Sequence, residues 1–146
     1  VGLAAAHARG LRLLALLDLA GGGVETARDA ARSALEWAVR CGDPREHAYG
    51  LLVMAGVARK AQDYDGWDAA LASAEALSEP GADACLDALL SAERAHYCIA
   101  TGGLADEPLG RARRALLDLE CTADSRLGRA LAVVDIALEA QDTWLL

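Results

Sequence analysis

The chain has no Phe and no Asn, a single Met, a single Lys and three prolines among its 146 residues. Aromatic residues make up only 4% of it, although 54% of it is hydrophobic. An all-β fold would want more β-branched and aromatic side chains than this chain offers. The apolar content is mostly Ala and Leu, which are strong helix formers. Alanine also leaves little side chain between two backbones, so helices faced with it can approach closely. The prolines, Pro44, Pro80 and Pro108, fall at or near expected helix boundaries, where a missing N–H is tolerated.

Positive charge is also short. Fourteen basic residues against 22 acidic ones give a formal charge of −8. A phosphate backbone would be repelled on average, so no direct nucleic-acid binding is expected of this segment. The densest basic cluster, Arg111, Arg113 and Arg114, is surrounded by Asp106, Glu107, Asp118 and Glu120 and reads as a solvated helix face. Long apolar runs are missing as well. The longest stretch without a charged residue or His runs from Ala48 to Ala58, well short of the ~20 residues a spanning helix needs. The opening segment carries His7, Arg9, Arg12 and Asp18, unlike a signal peptide. Cys41, Cys85, Cys98 and Cys121 are far apart in sequence, which argues for reduced thiols and a cytoplasmic protein rather than a secreted disulfide framework.

The motifs of catalysis and metal binding are missing too. Gly21-Gly22-Gly23 follows an expected helix, and neither GxGxxG nor GxxxxGK[ST] occurs, so no phosphate loop is expected. There is no CxxC, HExxH or HxxxH for zinc. Cys85 and Cys98 share one expected helix but lie thirteen residues apart, too far for one ion to reach both. Asp63 and Asp65 lack the further acidic ligands of a calcium loop and read as a turn and helix N-cap. No Gly-x-Ser-x-Gly elbow is present. His7, His47 and His96 fall on separate helices, and His96, bordering an apolar stripe, reads as a half-buried structural histidine. No enzyme activity and no cofactor are expected.

What the chain does have is helical periodicity with regular punctuation. Apolar residues such as Leu11, Leu14 and Leu17 recur at three- and four-residue steps over Leu3–Ala20, until the glycine triplet stops the helix. Val24–Cys41 follows, with Ala27, Ala31, Ala34 and Ala38 on one face, and ends at Gly42-Asp43-Pro44. The same reading gives helices over Arg45–Ala61, Asp65–Ser78, Asp83–Ala100 and Asp106–Glu120, and a seventh from Asp124 or Ser125 to about Gln141. Turns inside successive helix pairs fall near Gly22, Asp63, Gly102 and Gln141, at spacings of 41, 39 and 39 residues. A fixed period in this range marks a helical solenoid.

The residues around the second turn give the pattern a family. Lys60-Ala61-Gln62-Asp63-Tyr64-Asp65 resembles the turn of a tetratricopeptide repeat (TPR). Leu51, Met54, Ala55 and Ala58 before it, and Leu71 and Ala74 after it, fall where the TPR helices take their large, small and medium residues. Ala15, Ala27 and Ala34 keep the small positions of the first unit, whereas Trp67 stands where the pattern usually has Ala. The period is longer than the common TPR length of about 34 residues. Long Ala-rich units of this kind resemble the C-terminal arrays of actinobacterial transcription regulators, of the Cro-type helix-turn-helix and MalT/LuxR classes. The use of Arg at thirteen of the fourteen basic positions fits a GC-rich bacterial genome. The resemblance implies an all-α, right-handed TPR-like α-solenoid of antiparallel helix hairpins, about seven helices or three and a half repeats, in one domain over residues 1–146. The start at Val1 is read as that of a fragment of a larger protein.

In such an array the first helix of each pair lines a concave groove. The register places Tyr49, Leu52, Arg59 and Lys60 on it, then Glu93 and Tyr97, then Leu131 and Asp135. These are the candidate binding residues for a protein or peptide partner, as expected of the interaction or sensory domain of a regulator. Two alternatives stand beside this reading. One is a small-molecule pocket lined by Trp37, Trp67 or Tyr97 with His96, and the other is homodimerisation through the apolar end Trp144-Leu145-Leu146.

Overall fold

The structure, a computed structural model, describes residues 2–118. These residues are helical and contain no strand, in line with the Ala- and Leu-rich composition. The helices are α1 (Gly2–Ala20), α2 (Val24–Cys41), α3 (Pro44–Lys60), α4 (Tyr64–Leu77), α5 (Ala84–Ala100) and α6 (Asp106–Asp118). The expected seventh helix lies outside the described residues. Boundaries follow the punctuation to within a residue or two, apart from the expected end of α6 at Glu120, which lies outside the described residues. The differences are at caps: Asp43, Asp63 and Asp83 each stand one residue before a helix and accept a backbone N–H from its first turn. Asp63, rather than Asp65, thus caps α4, and Pro44 takes the first position of α3, where its fixed φ is already helical.

The chain divides into two compact units, Val1–Ser78 and Glu79–Leu146. In the first, α1 packs on α2, α2 on α3 and α3 on α4, and α1 also touches α3. Its interior is largely alanine. Ala8, Ala15, Ala27, Ala31, Ala34, Ala48, Ala55 and Ala74 are fully buried, and Leu19, Val53, Val57, Trp67 and Leu71 supply the larger volumes. Small side chains bring the helices close. A Cβ added to Gly50 of α3 would lie 3.1 Å from Leu35 Cδ1 and 3.4 Å from Leu35 Cα on α2. In the second unit α5 packs on α6 through Ala88, Ala112 and Ala115, flanked by Cys85, Leu89 and Ala92.

Three helix ends share one set of hydrogen bonds. After α1, Gly22 N–H donates to Leu19 C=O and Gly23 N–H to Asp18 C=O. After α3, Gln62 donates to Arg59 and Asp63 to Ala58; after α5, Gly102 donates to Ile99 and Gly103 to Cys98. This is the Schellman arrangement, which needs a left-handed residue at its first donor. The residue is Gly22 (φ 82°), Gln62 (φ 56°) and Gly102 (φ 76°), forty residues apart each time. Only the middle turn fills the position with a side-chain-bearing residue. Gln62→Gly is therefore expected to raise stability by about 1 kcal/mol, read as a higher urea midpoint with unchanged slope.

Candidate binding surface on α1 and α3

Helix α1 is apolar nearly all round, which is unusual for a helix with an open side. Its buried stripe is made by Ala8, Ala15 and Leu19. The periodic leucines that define the helix in sequence do not lie there: Leu14 and Leu17 are exposed, and Leu11 is only half-buried. Where a helix carries leucine on several faces, period alone cannot choose the inner one. The narrow alanine side is chosen because it lets α2 come close. The consequence is a set of solvent-exposed leucines, Leu13, Leu14, Leu16 and Leu17 close together and Leu3 ten residues earlier, at 48–75% of full exposure. Single exposed leucines need no explanation, but Leu13, Leu14, Leu16 and Leu17 lie within about one turn of each other, and such a local cluster of exposed leucines is a candidate interaction surface.

Arginines border this cluster. Arg9 precedes Leu13 by four residues and Arg12 precedes Leu16 by four, so each pair is adjacent on the helix surface. Both arginines reach across to Glu46 in the first turn of α3. Arg9 Nε donates to Glu46 Oε1 at 2.9 Å, and Arg12 Nη2 lies 3.3 Å from Oε2. Glu46 is only 4% exposed, while the Arg9 side chain stays largely in solvent. The Arg12 guanidinium also lies over the Tyr49 ring, 4.7 Å from its centroid, and Arg45 approaches the same ring at 5.9 Å. Burial pushes the Arg12 guanidinium below its ordinary pKa, Glu46 pulls it back up, and the like charges of Arg9 and Arg45 lower it further. Two cations, one carboxylate and the Tyr49 phenol thus act on Arg12. The patch is positive on a chain whose formal charge is −8.

The sequence-derived groove residues are placed as follows. Tyr49, Leu52 and Arg59 are half-buried on α3, and Lys60 is exposed at its end. Spacings of three, ten and eleven residues from Tyr49 keep these four on one side of the helix. Glu93 and Tyr97 are half-buried one turn apart on α5, where the Arg94 guanidinium lies 5.4 Å from the Tyr97 ring centroid. Leu131 and Asp135 lie outside the described residues, as does the Trp144-Leu145-Leu146 end. Among the residues weighed for a small-molecule pocket, Trp67 is buried in the first unit, whereas Trp37 is half-buried and stacks on His7 at 4.6 Å. Cys41, Cys85 and Cys98 are free thiols, all half-buried. Among the described residues no three His, Cys, Asp or Glu side chains gather closely enough to hold a metal ion, and no helix is long and apolar enough to cross a membrane.

Sequence reasoning missed Glu46, Arg9 and Arg12. Asp43-x-x-Glu46 has the spacing of a capping box, which would turn Glu46 back on its own helix. Instead, Glu46 pairs with residues some three dozen positions earlier. The only local signal for this is the i,i+3 pair of arginines on an otherwise apolar helix. Compared with protein-family models, curated proteins and solved structures, the chain finds no match in any of the three.

Proposed function

We propose that this chain is a non-catalytic binding scaffold of TPR-like helix hairpins that docks a protein or peptide. We read it as the interaction or sensory part of a bacterial transcription regulator acting in the cytoplasm, with any DNA contact made by another domain. The observation that carries the docking role is the cluster of exposed leucines on α1, Leu13, Leu14, Leu16 and Leu17. A local cluster of four exposed leucines gains by being covered. The hairpin-repeat reading draws support from the three matching turns forty residues apart and from the buried alanines at the small-residue positions. Tyr49 and Tyr97 each lie beside arginine on the first helix of a hairpin, and such aromatic groups with a polar tip make good interface anchors.

Random-peptide display on the immobilised chain tests this. We expect enriched peptides that lose at least tenfold in affinity for a Leu13→Gln/Leu17→Gln variant. Tyr49→Ala then reports whether the bound peptide reaches α3, and Tyr97→Ala separately tests a surface of the second unit. If no peptide is enriched, or if every enriched peptide ignores all four substitutions, the scaffold reading fails.

A further inference from the structure

The outer side of α1 carries a pattern that its leucines alone do not show. Leu3, Ala6, Gly10, Leu13, Leu17 and Ala20 follow one another at alternating steps of three and four residues, and all six are exposed. Such steps keep a seam on one side of a helix. The seam lies opposite Ala8, Ala15 and Leu19, which face the interior. None of the six is charged, and a Cβ added to Gly10 would meet no atom within 4 Å, so the seam is open at its narrowest point. Leu14 and Leu16 widen the apolar surface on either flank.

This seam is complementary to itself. About the midpoint between Leu11 and Arg12, Leu3 corresponds to Ala20, Ala6 to Leu17 and Gly10 to Leu13. An antiparallel copy, related by a two-fold axis through that midpoint, sets a leucine against a small residue at all three levels. A parallel copy would set leucine on leucine and glycine on glycine, crowding some levels and leaving gaps at others. The small residues also let the two helices approach closely. The five exposed leucines of α1, with the small residues between them, present on the order of 500 Å² per copy, so a pair covers about 1,000 Å², enough for a specific but weak interface.

We infer that the occupant of this surface is a second copy of the chain, its α1 lying antiparallel along the seam. This rests on the scaffold reading above and names the partner of the same leucine cluster. The two-fold axis makes each contact occur twice, which is how a short seam on one helix gathers the area of an interface. Arg9 and Arg12 stay with Glu46 of their own chain. With a formal charge of −8 on each copy, charge opposes the pairing and apolar contact supports it, so added salt should tighten it.

Sedimentation equilibrium of the full chain, from low micromolar to near-millimolar concentration, is expected to show a monomer–dimer equilibrium that strengthens with salt. Leu17→Ala should weaken it at least tenfold, because a small residue then meets Ala6 of the other copy and leaves a gap. Adding Ala6→Leu to Leu17→Ala should restore most of the lost affinity. Within one chain these positions stand about 16 Å apart along α1, so such a rescue reports a contact between copies. Both positions are exposed, so the circular dichroism spectrum and melting curve of the monomer should not change. Should the double variant not fold, Leu13→Ala with Gly10→Leu repeats the test at the central level. A chain that is monomeric throughout, a dimer that salt weakens or that Leu17→Ala leaves unchanged, or a loss that the second substitution does not restore overturns the inference. Peptide display decides the scaffold reading separately, so either can fail alone.

Discussion

Glu46→Ala is expected to destabilise the chain by about 3–5 kcal/mol, a large part of the ~5–15 kcal/mol that holds a typical domain folded. Arg12 is half-buried and draws its compensation from the Glu46 carboxylate, which is itself 4% exposed. Removing the carboxylate leaves a cation in low dielectric among like charges, and it also withdraws the acceptor of the Arg9 Nε hydrogen bond. The measurement is the urea midpoint at constant slope. Glu46→Gln separates charge from shape: it keeps the packing and an acceptor oxygen, so a cost close to that of alanine would place the effect in the charge. The double change Glu46→Leu with Arg12→Met should cost far less than Glu46→Ala, because burying apolar surface in place of an ion pair avoids desolvating both ions. If Glu46→Ala loses less than about 1 kcal/mol, the pair is a surface contact in effect and its buried geometry is of no energetic consequence.

Trp67→Ala should cost about as much, roughly 3–5 kcal/mol, for a different reason. Trp67 is 3% exposed in an interior made mainly of alanine, so truncating it leaves a cavity far larger than any alanine neighbour can fill. The ring also stands 6.1 Å from that of Tyr64 at the start of α4, so its loss removes an aromatic contact as well as volume. A drop in melting temperature of roughly 10 °C is expected. Trp67→Phe should recover much of it. Leu71→Ala, on the same helix and fully buried, provides a comparison of smaller volume. A Trp67→Ala variant that melts within about 2 °C of the parent would mean that the alanine helices close over the gap, contrary to the rigid packing expected of a protein interior.

The helices were legible in sequence because their ends are written in residues with few alternatives. The glycine triplet at 21–23, Gly42-Asp43-Pro44 and Pro80-Gly81 can stand inside a helix only at high cost, so they give boundaries without any knowledge of packing. Ala27, Ala31, Ala34 and Ala38 were legible as a buried face for a related reason: on α2 the alternative faces carry charge. On α1 that reasoning fails, since Leu11, Leu14 and Leu17 repeat as well as Ala8 and Ala15 do and only the approach of α2 selects between them. The candidate site divides in the same way. Tyr49 could be placed from the register of its own helix. Its arginine neighbour Arg12, and the engagement of Glu46 by Arg9 and Arg12, depend on α1 lying beside α3, which no local spacing encodes.

The alanine interior has a consequence for how this chain can change over time. In a core of leucine and phenylalanine, most substitutions take atoms away, and the protein drifts toward looseness. A fully buried alanine such as Ala15, Ala31 or Ala55 has almost nothing to lose. A single nucleotide change in an alanine codon yields Gly, Ser, Thr, Pro, Val, Asp or Glu, and apart from glycine each adds bulk or polarity, or breaks the helix. Mutational damage here comes mostly from crowding, and crowding between two closely opposed helices cannot be absorbed by a neighbouring rotamer. Lineages carrying such interfaces should therefore hold their buried positions tightly while their leucine-bearing outer faces vary with the partner. Pairs of sites across a contact should change in opposite directions in volume, one growing only where the other has already shrunk.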